Sequence, residues 1–232
     1  MARMSRAAAD APRYGEFVRI GGAPALDFVN TVTWRTYGPR RERFGGFEDV
    51  VAWATDALGL ADARALRAYA ARHPQTAARM LERAVACRGT LHAIFSALAA
   101  GAAAPAVEFA AFNRTLGSAL AHASLEDTAH PRWTWSCPDN PLASVLDQVA
   151  WAAARLMAGE DVRSLRQCAN PECGWVFLDR SPRGDRRWCG SECRGADKSR
   201  RYYARRRQRA AGRLTRRRPG ANATGTGRTT RR

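Results

Sequence analysis

The sequence predicts a mainly α-helical protein, in which a helical N-terminal domain with a small β-hairpin precedes a small four-cysteine zinc-finger module made of a β-hairpin and a basic helix. Apolar residues recur at helical spacing through most of the first 160 residues, and four of the six cysteines fall between Cys168 and Cys193. The positive charge is concentrated in and after that cysteine segment. A chain of 232 residues, 46% of them hydrophobic, is long enough for one sizeable core and a second small one.

These patterns divide the chain into four segments. Residues 1–13 are polar and alanine-rich, which predicts a loose N-terminus, and residues 14–160 are predicted to form the helical domain. Residues 163–211 carry the cysteine module with its basic helix, and residues 212–232 are predicted to be a disordered basic tail because they lack an apolar pattern. We expect the helical domain to fold without the rest, since its charge is nearly balanced and its helices are amphipathic.

Glycine and proline residues, together with apolar spacing, predict four helices in the first part of the helical domain. Pro24 and Pro74 fit first turns, Gly59 fits a helix stop and Asp62 fits an N-cap. The predicted helices run from Pro24 to about Thr33, from 47 to 58, from 62 to about 73 and from 74 to about 98. Cys87 lies on the apolar stripe of the last helix, so we interpret it as a small core residue and not as a nucleophile.

Two further helices and a hairpin are predicted to complete this domain. The pattern predicts a helix over 106–120, paired strands around 122–125 and over 132–136, and a helix that ends at Gly159. Asp139 or Asn140 is expected to cap that last helix, with Pro141 in its first turn.

Asp27 and Asn30 are three residues apart and are therefore expected on one face of the first helix. Two roles fit such a pair. The side chains can hydrogen-bond the backbone of a neighbouring loop, which is the commoner role of polar pairs of this kind. Alternatively, they can line a pocket for a small-molecule ligand.

The cysteines form two close pairs, Cys168 with Cys173 and Cys189 with Cys193. Each pair can direct two thiolates towards one point, so the spacing predicts a Cys₄ site that holds one structural zinc ion. Two disulfides are the alternative, but the first residues lack the apolar run of a secretory signal, and a reducing compartment favours metal. A catalytic zinc is not expected, because four thiolates leave no open position for water. Cys137 is assigned no ligand role.

The charge is distributed very unevenly along the chain. Residues 1–162 contain 17 Lys/Arg and 16 Asp/Glu, whereas residues 163–232 contain 21 and 5. This asymmetry predicts a polyanionic partner, nucleic acid before a membrane surface. No apolar run is long and clean enough to span a bilayer.

The candidate nucleic-acid contacts lie beside the second cysteine pair and on the helix after it. Only Asp197 is available to pair with the many arginines of that helix, and phosphates would relieve their mutual repulsion. The predicted contacts on this helix are Lys198, Arg200, Arg201, Tyr202 and Arg205. Arg186 and Arg187 are further candidates, although together with Arg180 they have an alternative role in neutralising the thiolates and bonding the cysteine loops.

The C-terminal part resembles the CGNR zinc-finger family of bacterial regulators over Leu165 to Arg207. The resemblance is carried by Cys-Ala-Asn-Pro-Glu-Cys, Trp-Val-Phe-Leu-Asp-Arg-Ser, Arg-Arg-Trp-Cys and Lys-Ser-Arg-Arg-Tyr-Tyr-Ala-Arg. The stretch from Gly22 to Thr31 resembles the start of the ABATE helical domain that usually precedes this finger. The resemblance implies a stress-linked transcription regulator whose finger binds DNA, and it implies no enzymatic activity.

The sequence departs from that family at the tetrad that names it. Cys193-Arg194-Gly195-Ala196 stands where the family has Cys-Gly-Asn-Arg. All four cysteines remain, so the zinc site is expected to persist. Arg194 is expected to replace the charge of the missing arginine from a different position, as a further nucleic-acid contact.

We therefore expect a cytoplasmic, non-enzymatic zinc-finger protein that binds DNA and regulates transcription, with a helical domain that serves in sensing an effector or in forming a homodimer. An RNA- or ribosome-associated protein is the alternative, because zinc modules with arginine-rich tails serve both roles. An RNA reader would expose stacking aromatic residues, and Trp175, Phe177 and Trp188 are the candidates. A hydrolase is disfavoured, since the sequence has no glycine-rich phosphate loop, His-Glu helix motif or paired-carboxylate motif.

Overall fold

In the computed structural model of this chain, the described residues are 17, 19–33 and 42–216, with side chains described as far as residue 209. The predicted loose N-terminus at residues 1–13 lies outside them. So does most of the predicted tail, although the last helix continues past its expected end at Ala211 to Arg216.

The described residues form seven α-helices, one 3₁₀ helix and two antiparallel hairpins, so the predicted mainly helical fold is confirmed. The helices are α1 (Pro24–Val29), α2 (Phe47–Leu58), α3 (Ala63–Arg72), α4 (Pro74–Ala99), α5 (Ala106–Ala121), α6 (Ala143–Ala158) and α7 (Ser191–Arg216). The strands are β1 (Ala123–Glu126), β2 (Arg132–Trp135), β3 (Leu165–Gln167) and β4 (Val176–Leu178), and the 3₁₀ helix is Glu160–Ser164. Within this part of the chain, no helix combines the length and the apolar character needed to cross a membrane.

The helix ends depart from the sequence-based expectation at three places. Helix α1 ends before Thr33. Helix α6 begins only at Ala143, after hydrogen-bonded turns, so neither Asp139 nor Asn140 caps it. Asp62 occupies the N-cap position of α3 but makes no capping hydrogen bond with its side chain.

The main core is built around α1, whose apolar residues are buried on every side. Leu26, Phe28 and Val29 are fully buried, and Phe28 packs against Trp53 of α2 with ring centroids 5.1 Å apart. Cys87 packs at the edge of this core. Burial raises the pKa of the Cys87 thiol to about 12, so the thiol stays protonated at neutral pH, consistent with its expected packing role.

Strand β4 connects this core to a second, smaller one. Successive side chains of a strand point to opposite faces. Val176 and Leu178 accordingly belong to the main core, whereas Phe177 packs in a cluster with Cys168, Cys173 and Cys189. Both faces of the strand are therefore buried, one by the helical part of the molecule and one by the cysteine module.

Asn30 holds β4 in place through both ends of its side-chain amide. Its Nδ2 donates to the carbonyl oxygen of Val176 at 2.9 Å, and its Oδ1 accepts the Val176 amide N–H at 3.1 Å. Three more hydrogen bonds join the helical part to this hairpin: Trp175 Nε1 to the carbonyl of Val32, the Leu178 amide to the carbonyl of Gly21, and His92 Nε2 with the carbonyl of Gly174. The side chain of Asn30 thus braces a strand that is distant in sequence, and not the neighbouring loop of the first alternative.

The described residues divide into two compact units, one ending at Cys193 and one beginning at Arg194. The expected boundary near residue 160 does not coincide with this division. Leu165, Val176 and Leu178 lie in the same core as the helices, so a chain cut after Gly159 would leave part of that core uncovered.

We predict that Asn30→Ala lowers the free energy of unfolding by about 2–4 kcal/mol, because it leaves a buried backbone N–H and a buried C=O without partners. Urea denaturation of the metal-loaded protein measures this change. Asn113→Ala, on the exposed side of α5, is the matched control and is expected to change stability by less than about 0.5 kcal/mol. Equal effects of the two substitutions would contradict the bracing role.

Asp27 braces the turn before α1. Its Oδ1 accepts the Gly21 amide N–H at 2.8 Å, and a Cβ at Gly21 would lie only 2.9 Å from this oxygen, so the approach requires glycine. Burial raises the pKa of Asp27 to about 6, against the opposing effect of the Gly21 hydrogen bond. A carboxyl whose folded-state pKa is raised stabilises the fold below its unfolded pKa of about 4, and this stability is lost as pH rises through about 6.

We predict that Asp27→Asn removes this pH dependence while keeping an oxygen acceptor for Gly21. The stability of the variant relative to the natural protein should rise by about 1–2 kcal/mol between about pH 5 and about pH 8. Urea midpoints over that range test the prediction, and a difference that is flat or falls with pH would contradict it.

Candidate metal centre and nucleic-acid interface

The four cysteines of the two pairs converge on one point. Their Sγ atoms all lie within 4.8 Å of one another, with Cys173 and Cys189 at 3.5 Å and Cys189 and Cys193 at 3.6 Å. A zinc ion with four Zn–S bonds of about 2.3 Å places its tetrahedral sulfurs about 3.8 Å apart. These separations fit such an ion, and they are far longer than the S–S bond of about 2.05 Å in a disulfide.

Local backbone structure positions each ligand. Cys168 follows β3, and its amide donates to the carbonyl of Trp175 at 2.8 Å, which closes the first cysteine loop. Cys173 is held by a turn through the carbonyl of Asn170 at 2.9 Å. Cys193 lies in the first turn of α7, so the metal centre and the start of the basic helix share one segment of chain.

The centre is closed and largely excluded from water. Cys168, Cys173 and Cys189 are buried, with Phe177 beneath them and Trp175 and Trp188 packed against the cluster. Four protein ligands in an enclosed site are typical of a structural metal ion, because no position is left for a reacting molecule.

Hydrogen bonds to the sulfurs favour their thiolate forms. Asn170 Nδ2 lies 3.4 Å from Cys193 Sγ, and the Cys189 amide donates to Cys168 Sγ at 3.5 Å. The hydrogen bond to Cys173, and to a smaller extent the one to Cys189, lowers the pKa of Cys168 to about 2. The same contacts with Cys168 raise the pKa values of Cys173 and Cys189. Protons shared among crowded sulfurs in this way are released when a cation binds. Sequence reasoning did not single out Asn170, since an asparagine between two cysteines also fits a simple turn.

The structure gives Arg186 a role inside the module. Its guanidinium lies 4.3 Å from the centroid of the Phe177 ring, and it donates to the carbonyl oxygens of Trp188, at 3.0 Å, and of Cys189. These contacts match the alternative in which the arginine bonds the cysteine loops. Arg187 is exposed, and Arg180 makes a solvent-exposed ion pair with Asp161 at 3.3 Å.

Helix α7 is long, and its basic residues up to Arg209 are exposed apart from the half-buried Arg200. It contains ten Lys/Arg and two Asp/Glu among its 26 residues. Asp197 pairs with Arg201 at 2.9 Å and with Arg200 at 3.5 Å. Among the described residues, no ion pair joins Arg205, Arg206, Arg207 or Arg209 to a carboxylate.

Spacing sorts these residues into two faces. Residues three or four apart lie on the same face of a helix. This rule aligns Lys198, Arg201, Tyr202, Arg205 and Arg209, with Arg194 one turn earlier, and we call this set the basic face. At 100° per residue, Arg200 and Arg207 lie on the other side, so the predicted contact at Arg200 is not on the basic face. Tyr202 and Tyr203 are both exposed and contact each other edge to face at 5.4 Å.

The substituted tetrad lies in the first turns of α7. Arg194 is exposed there, and the position of Gly195 has open space around it. The change from Cys-Gly-Asn-Arg therefore leaves the four sulfurs together and moves the arginine of the tetrad from position 196 to position 194, on the basic face.

Two family models match the chain in N- to C-terminal order. Residues 22–160 match ABATE, described as "putative stress-induced transcription regulator", and residues 164–206 match the CGNR zinc finger. Both resemblances seen in the sequence are thus confirmed. No curated protein matches the chain.

We predict that the purified protein carries one equivalent of metal and that Cys168→Ser with Cys193→Ser removes it, because two ligands cannot hold the ion against dilution. Elemental analysis after gel filtration measures the content. Cys87→Ser with Cys137→Ser is the matched control, since these two cysteines lie outside the cluster. Full metal content in the Cys168→Ser, Cys193→Ser variant would contradict the assignment of these cysteines as metal ligands.

Proposed function

Because the chain belongs to the ABATE family of stress-induced transcription regulators and ends in a CGNR zinc finger, we propose that it is a zinc-dependent DNA-binding regulator of transcription. This proposal rests on one observation, namely that the cysteine cluster and the basic helix share one segment of the chain. The fourth cysteine of the closed cluster lies in the first turn of a helix whose basic residues are exposed.

Zinc is the metal that this donor set favours. Four thiolates in a closed tetrahedral arrangement are typical of structural zinc, which has no redox chemistry of its own and binds soft sulfur ligands tightly. When bound, the ion would fix the angle between the cysteine loops and the first turn of α7. Its role is structural, so we propose a protein that recognises its partner without catalysis.

Electrostatics supports a polyanionic partner for α7. Like charges three or four residues apart repel one another, and Asp197 is the acceptor in both of the ion pairs found in the described part of this helix. Phosphates would neutralise the remaining arginines and release counterions, which is the main source of affinity in such complexes. A helix of 26 residues is about 39 Å long and matches the width of the DNA major groove in diameter.

The distribution of aromatic residues favours DNA over single-stranded RNA. Phe177 is fully buried, and Trp175 donates its indole N–H to the backbone of Val32, so neither is presented as a stacking platform. Trp188 is partly buried against the cluster. Tyr202 and Tyr203 are the exposed aromatic residues of the described basic helix, and they lie among arginines that would contact phosphates.

The helical part of the molecule is the proposed sensing element of this regulator, which would act in the cytoplasm where its DNA lies. It shares a buried strand with the cysteine module, so a change in its packing has a direct mechanical route to the metal centre. This contact is the physical basis for coupling an input to DNA binding.

We predict that Lys198→Ala with Arg205→Ala weakens duplex binding and lowers the slope of log affinity against log salt by about 1.8, since each lost phosphate contact removes about 0.9. Fluorescence anisotropy over a salt series, with DNA sequences first obtained by in vitro selection on the zinc-loaded protein, measures both quantities. A structured RNA at matched salt is the competitor.

Arg200→Ala with Arg207→Ala is the matched control, because it removes the same charge from the other side of α7. We expect this variant to retain most of the slope and the sequence preference. Equal losses in the two double variants would contradict docking through the basic face. Tighter binding of the RNA than of selected DNA would favour the RNA-associated function instead.

A further inference from the structure

A cavity of about 660 Å³ lies in the helical part of the molecule, and none of the four clustered cysteines lines it. Its walls come from the segment that joins α2 to α3, from α3, from strand β2 and from the start of α6. Cavities of roughly 300–1,000 Å³ are the usual size for small-molecule sites. This one lies in the part of the chain for which the family match implies no ligand chemistry.

One side of the cavity is aromatic. Tyr69, Trp133 and Trp135 line it, and Trp133 keeps 43% of its surface exposed although it packs against Trp151 at 5.1 Å and against Trp135 at 6.4 Å. Large aromatic side chains that remain exposed beside a cavity offer faces on which a flat ligand can stack.

The polar groups of the cavity define the rest of the ligand. Arg72 and Arg132 line it and are exposed, with no carboxylate partner among the described residues, while Asp62 is the single acidic residue of the lining. The lining therefore carries one net positive charge, which matches a monoanion. Arginine guanidinium groups bind carboxylates with paired hydrogen bonds.

Trp135 adds an independent observation. Its indole Nε1 is buried and has no hydrogen-bond partner in the described part of the chain. A buried donor without an acceptor costs free energy, and tryptophan N–H groups are usually satisfied. Because this nitrogen has no surface open to the cavity, Trp135 can contribute to ligand binding only through its ring.

From these features we infer that the cavity binds a small aromatic carboxylate, with its ring stacked on the Trp133 side and its carboxylate held by Arg72 and Arg132. The binding step stands by itself. Its use as an effector signal rests on the proposed function, since it requires DNA binding to be modulated.

Helix α6 links this cavity to the cysteine module. Ser144 and Gln148, near its start, line the cavity, while its end leads through the 3₁₀ helix Glu160–Ser164 into β3. Between them the helix buries Val145, Val149, Ala153 and Leu156 in the main core. A ligand that shifts the start of α6 would therefore act on a rigid element that continues into the finger.

Isothermal titration calorimetry of the full-length, zinc-loaded protein tests the binding step. The probes are indole-3-acetate and 1-naphthoate, each compared with its uncharged primary amide. We expect a dissociation constant of about 1 mM or tighter for at least one acid, as for a fragment of this size, and about tenfold weaker binding of its amide. Failure of both acids to bind saturably, or equal binding of acid and amide, overturns the inference.

Matched variants locate the site. Arg72→Gln with Arg132→Gln removes the two exposed charges without disturbing the core and is expected to weaken binding of the acid about tenfold. Arg64→Gln, an exposed arginine of α3 outside the cavity, is the control and should bind unchanged. Circular dichroism melting confirms that the variants fold. Binding by the double arginine variant that equals the control overturns the assignment of the cavity.

A DNA-affinity series with and without saturating acid separates the two proposals. A change in DNA affinity that disappears in the double arginine variant supports the effector role. If the natural protein binds no DNA, the proposed function fails while the calorimetric result stands. If the protein binds DNA with the same affinity in the presence and in the absence of the acid, the effector role is overturned.

Discussion

The structure depends on the burial of strand β4 on both of its faces. Val176 and Leu178 complete the helical core, while Phe177 between them supports the four cysteines. The strand has only three residues and one paired neighbour, so its second edge would be left with unpaired backbone groups. Asn30 satisfies these groups with both ends of its amide, and so the first helix of the fold holds the strand that carries the metal centre.

This arrangement makes the cysteine loops, as far as Cys193, an integral part of the first compact unit. Trp175 and Gly174, next to the strand, are tied to Val32 and His92 of the helical part. The angle of the cysteine loops relative to the helices is therefore defined by packing and not by a linker. For a regulator, this geometry means that the metal centre and the helical core must move together or break several buried contacts at once.

Charge has opposite roles in the two compact units. In the first unit, buried charges are satisfied internally: Arg88 is 2% exposed and binds Glu42 and Thr31, and Asp147 pairs with His122 at 2.8 Å. Such pairs hold the chain in register, because removing Glu42 or His122 would leave the buried side chain of Arg88 or Asp147 without its ion-pair partner. In the second unit, the charges of α7 are exposed and mostly of one sign, which destabilises an isolated helix. Exposed charges of one sign on a helix are typical of binding surfaces, because the opposite charges of the partner neutralise them in the complex.

Local patterns in the sequence were enough to predict the helices, the β1–β2 hairpin, the Cys₄ cluster and the basic helix, because each depends on residues only a few positions apart or on a loop of familiar length. The tertiary structure decided the features that depend on contacts between residues far apart in the sequence. It assigned the amide of Asn30 to a strand 146 positions later, buried Phe177, bonded the indole of Trp175 to Val32 where RNA stacking was the alternative, and turned Arg186 inward onto Phe177. It also brought α3 and β2 together around a cavity. Hydrophobic spacing shows that a face will be buried but not what buries it, since the partner's position is set by packing of the whole chain.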